Sequence, residues 1–157
     1  LSAAAEADVA VAFYGGTARV LTALLAAMKR RFPALQTPYA LALPFRPLSA
    51  AEDDQITGEI LDSGARIVLV GLSTPKQERW MASHRGRIPA VMLGVGAAFD
   101  FLAGAKRQAP RWMQNHGLEW LFRLGAEPRR LWRRYLKHNP RFAALFAAQL
   151  LERRFTS

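Results

Sequence analysis

Apolar positions in the first hundred residues fall into short runs separated by stretches of helical period. Asp8–Tyr14 (DVAVAFY) is a strand-like run that ends at Gly15-Gly16. Behind it, Thr17 is placed to cap a helix over Ala18–Arg31, which Pro33 closes. Tyr39–Leu43 predicts a second strand and Pro44–Pro47 (PFRP) a rigid loop. Ser49 caps a helix over Ala50–Ser63, with Glu52 three residues later as in a capping box. Arg66–Val70 (RIVLV) reads as a buried strand, followed by Gly71, a Ser73-Thr74-Pro75 turn and a helix over Lys76–Arg85. Ala90–Val95 is a further strand, followed by Gly96 and a short helix through Asp100 and Phe101. Apolar strands alternating with helices predict an α/β fold, an open, Rossmann-like parallel sheet with helices on both faces. Ligands of such sheets sit beyond the carboxyl ends of the strands. Here that edge is formed by Gly15-Gly16, Gly71–Gln77 and Gly96–Asp100.

After Gly104 the strand pattern stops. Helices are predicted over Pro110–Asn115, Leu118–Gly125, Pro128–His138 and Pro140–Arg154, three of them with proline in the first turn, where its missing amide costs nothing. The chain therefore reads as an α/β body over 1–104 and an all-helical appendage over 105–157. Charge follows the same division. Residues 105–157 hold 12 Lys/Arg against 3 Asp/Glu, whereas residues 1–104 hold 10 against 9. A near-neutral body thus carries a basic segment that attracts polyanions: nucleic acid, anionic lipid or a phosphorylated ligand. The 157 residues contain no cysteine, which excludes disulfide frameworks and thiolate metal sites. No stretch approaches the ~20 uninterrupted apolar residues of a membrane-spanning helix.

Three segments carry candidate chemistry. In GLSTPKQE (Gly71–Glu78) a buried strand turns into a helix start, where free amides and a partial positive charge suit a phosphate or a sugar oxygen. Gly71 permits the close turn, Pro75 fixes the entry, and Lys76, Gln77 and Glu78 occupy the first turn. An ordinary solvated helix start fits the spacing equally well, and the glycine pattern of a P-loop or dinucleotide fingerprint is missing. In GVGAAFDF (Gly94–Phe101), Asp100 either binds a ligand hydroxyl or caps backbone amides. In the run from Gly117 to Phe142, which holds six arginines, Arg129, Arg130, Arg133, Arg134 and Lys137 flank Leu131, Trp132, Tyr135 and Leu136. Paired guanidinium donors grip phosphate oxygens, and basic flanks around an aromatic and leucine stripe suit an interfacial helix on an anionic membrane. The alternative is a stripe that packs on the body beneath solvated arginines. His84, His116 and His138 lack metal-ligand spacing, and Asp53-Asp54 reads as a pair of first-turn acids, not a DxD motif. No metal site is expected, so arginines would have to balance any departing diphosphate.

The stretches VAFYGGTARVL, PFRPLSAAED, VLVGLSTPKQERWM, GVGAAFDFLAG and RQAPRWMQNHGLEWLFRLGAEPRRLWRRYLKHNPRF closely resemble the WecG/TagA/CpsF family of bacterial glycosyltransferases, over nearly the whole chain. PFRPLSAAED and PKQERWM are most similar to exopolysaccharide-pathway members. The resemblance implies an inverting, metal-independent enzyme without cofactor. Its donor would be a UDP-sugar such as UDP-N-acetylmannosamine or its uronate. Its acceptor would be an undecaprenyl-diphosphate-linked saccharide on the inner face of the cytoplasmic membrane, where the enzyme is peripheral. By the same resemblance Gln77 and Asp100 line the donor pocket, with Gly71, Pro75, Lys76 and Glu78 in the same turn. Arg123, Arg130 and Arg133 reach the diphosphate, and the appendage docks on the anionic membrane and closes over the site. The family pattern also has an earlier segment with an aspartate as general base. This chain opens at about the middle of that pattern, so the base is expected on a missing segment. An apolar face exposed by such a loss would favour a homo-oligomer. The reading from another class is a non-catalytic basic domain that binds membrane or nucleic acid. Against nucleic acid, the basic stripe is rich in leucine and tryptophan and carries no helix-turn-helix or RNA-binding motif.

Overall fold

A computed structural model of the chain describes residues 1–106, 108–126, 128–129 and 132. The chain divides into two compact units between 107 and 108. In the first, the elements run α1 (Ser2–Glu6), β1 (Val11–Gly15), α2 (Ala18–Arg31), β2 (Ala40–Leu41) and α3 (Ala50–Asp62). They continue as β3 (Ile67–Gly71), α4 (Lys76–Ser83), β4 (Val91–Gly94) and α5 (Ala98–Leu102). The four strands form one sheet in the order β2-β1-β3-β4, and every neighbouring pair is parallel.

The helix starts are where the caps put them. Thr17 Oγ1 accepts the Val20 amide at 3.3 Å. At α3, Ser49 Oγ accepts the Glu52 amide at 3.2 Å while the Glu52 carboxylate accepts the Ser49 amide at 2.8 Å, a complete capping box. Side chains of β1 alternate between two apolar layers. Val11 and Phe13 face Val20, Leu21, Leu24 and Met28 of α2, together with Phe99 of α5. Ala12 and Tyr14 face Ile56 and Ile60 of α3, with Trp80 and Met81 of α4 at the margin. Each fully buried leucine or phenylalanine of these layers contributes about 1.5–3 kcal/mol, enough to make helices on both faces of the sheet the stable arrangement.

Several elements are shorter than the pattern predicts. The first strand begins at Val11, not at Asp8. Asp8 sits in a turn with φ 52° and its Oδ1 accepts from Gln36 Nε2 at 2.6 Å. The second strand is reduced to Ala40–Leu41, paired with Phe13 and Tyr14. The helix expected to reach Arg85 ends at Ser83, because Gly86 takes the left-handed conformation in the loop beyond it. The helix α1 has no counterpart in the expected elements. On the outer strand β4, Val91 and Leu93 are exposed, although Ile67 and Leu69 opposite them are covered.

The second unit contains α6 (Arg111–Asn115) and α7 (Glu119–Ala126), both in the predicted places. Pro128, Arg129 and Trp132 are helical. The remainder of the helix expected over Pro128–His138, including Arg130 and Arg133, lies outside the described residues, as does all of Pro140–Arg154.

Candidate active site

After β2, helix α3 carries the chain across β1 to β3, so the strand order reverses between β1 and β3. Open α/β sheets bind ligands outside the carboxyl ends of the strands at such a reversal. A cavity of about 740 Å³ opens there.

Glycines shape its floor. The Gly16 amide donates to Gly71 O at 3.1 Å, joining the ends of β1 and β3. Gly15 has φ 111°, and a Cβ on it would stand 2.8 Å from Gly71 O. A Cβ on Gly71 would run into the Phe99 ring, which is buried against Phe13 with ring centroids 5.8 Å apart. A side chain is thus excluded at both positions, at Gly15 by the Gly71 carbonyl and at Gly71 by the Phe99 ring.

The predicted site residues separate into groups. Gly71, Lys76 and Asp100 line the cavity. Gln77 does not: it is 8% exposed, and its Oε1 accepts the Gly96 amide at 2.8 Å, which ties α4 to the loop before α5. Gly94 makes room for this, since a Cβ there would collide with the Gln77 amide group. Pro75 follows a cis peptide bond and caps α4, and Glu78 accepts from Thr74 Oγ1 at 3.1 Å; neither is part of the lining. Two amides at the start of α4 are not free for an anion, because those of Lys76 and Gln77 donate to Ser73 O at 2.8 and 3.2 Å. Arg123 lies in the second unit on α7, with its Nε donating to Glu119 Oε1 at 3.0 Å.

The rim is the PFRP loop. Phe45 is 97% exposed at its tip, between Pro44 and Pro47. Arg46 forks onto Glu52, with Nη1 donating to Oε2 at 2.8 Å, and Glu52 is itself half of the capping box. The Arg46 hydrogen bond, followed by the Ser49 amide and hydroxyl, lowers the Glu52 carboxyl to about 2 from its ordinary 4.5. One arginine thus anchors the loop to the helix that follows it.

The cavity lining also holds residues that the sequence pattern did not mark as a site. Asp53, expected to be a first-turn acid alone, lines the cavity beside Tyr14 and Trp80. The Trp80 ring lies between those of Tyr14 and His84, with centroids 4.1 Å away on each side and interplanar angles of 21° and 23°. Burial, then the Asp53 charge, pushes the Tyr14 hydroxyl well above its usual range, so the phenol stays protonated. No local motif announces this grouping, which assembles residues of β1, α3 and α4 with its C-cap His84. Among the described residues, no group of three or more His, Cys, Asp or Glu side chains is placed to hold a metal ion, and no helix is long and apolar enough to cross a membrane.

The cavity at the strand reversal, its glycine floor and the residues along its rim all fall within one matched region: the family model described as Glycosyl transferase WecG/TagA/CpsF family matches residues 1–156. The chain belongs to the WecG/TagA/CpsF family of glycosyltransferases.

Proposed function

We propose that this protein transfers a sugar from a UDP-sugar, of the UDP-N-acetylmannosamine or uronate type, to an undecaprenyl-diphosphate-linked saccharide in cell-surface polysaccharide synthesis. The observation that carries the proposal is the position of the cavity. It lies beyond the carboxyl ends of β1 and β3 with Gly71, Lys76 and Asp100 in its lining, where this sheet topology favours a nucleotide. Asp100 suits a ribose or sugar hydroxyl, and the Lys76 ammonium suits a phosphate oxygen. In this reading the acceptor hydroxyl attacks the anomeric carbon from the side opposite the departing UDP, a base takes its proton, and the configuration inverts. Charge gathers on the β-phosphate as the sugar–oxygen bond breaks. Guanidinium groups of Arg123, Arg130 and Arg133 neutralise it in place of a divalent cation.

The basic appendage completes this reading as an all-helical membrane-docking segment at the inner face of the cytoplasmic membrane. Trp112, Trp120 and Leu121 are exposed on its described helices, and aromatic and basic side chains together suit the headgroup layer of an anionic bilayer. The test is UDP release from UDP-sugars by the purified protein with membranes and the lipid-linked acceptor. Release is expected to require the acceptor and to persist in excess chelator. Arg130→Ala is expected to lower turnover by about a hundredfold with an unchanged melting temperature. Equal turnover in that variant would remove the arginines from the mechanism, and no release from any UDP-sugar would end the proposal.

A further inference from the structure

Asp53 stands where a helix-start acid has no local reason to be held. Glu52 and Asp54 on either side already place negative charge in the first turns of α3. Asp53 instead lines the cavity and is held there by Arg87, 34 positions away in the chain. Its Oδ2 accepts from Arg87 Nη1 at 3.1 Å, and Arg87 Nη2 reaches on to Asp54 Oδ1 at 2.6 Å. His84 Nε2 lies 3.1 Å from the same Oδ2, off-line for a hydrogen bond. The His84 ring is 1% exposed; its Nδ1 donates to Trp80 O at 2.8 Å and its face stacks on Trp80. Both groups thus crowd one carboxylate oxygen. The other, Oδ1, has no partner among the described residues, and the side chain keeps 25% exposure at the cavity wall.

An anionic oxygen held in this way repels phosphate and accepts hydrogen bonds from hydroxyl or amide N–H groups. A sugar nucleotide has hydroxyls at two ends, on the ribose and on the transferred sugar, with the diphosphate between them. Asp100 lies on the α5 side of the sheet and Asp53 on the α3 side, and both line the one cavity. Two carboxylates on opposite flanks suit a ligand whose neutral, hydroxyl-bearing parts lie on opposite flanks of its charged centre. We propose that Asp53 is a binding residue of this cavity that accepts a hydroxyl of the bound sugar nucleotide, and that Arg87 is the positioning residue that aims its carboxylate. This assignment rests on the proposed UDP-sugar donor and adds a second acidic contact to it.

The experiment is calorimetric titration of the full chain with UDP and with UDP-N-acetylmannosamine. Asp53→Ala is expected to weaken UDP-N-acetylmannosamine by about ten- to a hundredfold. A matching loss for UDP would identify the ribose as the source of the hydroxyl, and an unchanged UDP affinity would identify the transferred sugar. Arg87→Met is expected to weaken binding as well, with no further loss when added to Asp53→Ala, because both act through one contact. Asp54→Ala removes another partner of the same arginine outside the cavity and is expected to stay within about twofold of the wild type. Should Asp53→Ala melt early, Asp53→Asn decides, since it keeps the shape and loses the charge. Wild-type affinity for both ligands in the variants would overturn the assignment of Asp53 and leave the UDP-sugar reading standing. A wild-type chain that binds neither ligand would overturn both.

Discussion

Gly71 has no room for a methyl group. Its α-hydrogen faces the Phe99 ring, and Phe99 is fixed between the sheet and α2. Gly71→Ala must therefore displace a buried aromatic ring or separate β3 from α5. Overpacking of this kind costs about 1–3 kcal/mol. The expected outcome is a lower melting temperature in a thermal unfolding experiment, together with loss of nucleotide binding. A variant that melts like the wild type would show that Phe99 is not locked in place. Gln77 teaches a related lesson. Its type and position suggest a ligand contact, yet its amide oxygen is spent on the Gly96 N–H. Through that bond it holds the loop that leads into α5, where Asp100 lies. Nothing in single residue types separates these two roles, because a glutamine serves a backbone amide and a sugar hydroxyl with the same atoms.

At the scale of elements, the PFRP loop is the part of the site most dependent on charge. Glu52 serves the Ser49 amide and Arg46 together, and its carboxyl is lowered to about 2 from 4.5. A group whose folded pKa is depressed contributes stability that is complete above its unfolded value and is lost as pH falls through the folded one. The anchoring of the loop is therefore expected to hold above about pH 4.5 and to disappear between there and about pH 2. Unfolding free energy measured across that window should fall for the wild type, and Glu52→Gln should flatten that part of the curve. An identical slope in both proteins would remove Glu52 as the cause.

Elements were also what the sequence disclosed best. Caps at Thr17 and Ser49, and apolar runs ending in glycine, placed α2 and α3 to within a residue and located β3 and β4. These signals are local, so they are legible in a linear pattern. The short β2 and the turn at Asp8 were not, because a strand's length is set by the partner it finds across the sheet. The stacking of Tyr14 on Trp80 and the Arg87–Asp53 pair were invisible for the same reason, since topology brings together residues far apart in the chain.

For the molecule as a whole, the topology supplies the site and the appended unit supplies the excess charge. The β2-β1-β3-β4 order opens one cavity beyond the strand ends, with carboxylates on both flanks and Lys76 in its lining. In the division of labour proposed above, the near-neutral body binds the nucleotide and the basic appendage meets phosphates and an anionic surface. The most direct test of this account is amide chemical-shift mapping of the chain titrated with UDP in excess chelator. The account predicts saturable changes clustered at residues 14–17, 43–53, 71–76 and 96–100. Changes that cluster away from the carboxyl ends of β1 and β3, or binding that appears only when a divalent cation is restored, would contradict it.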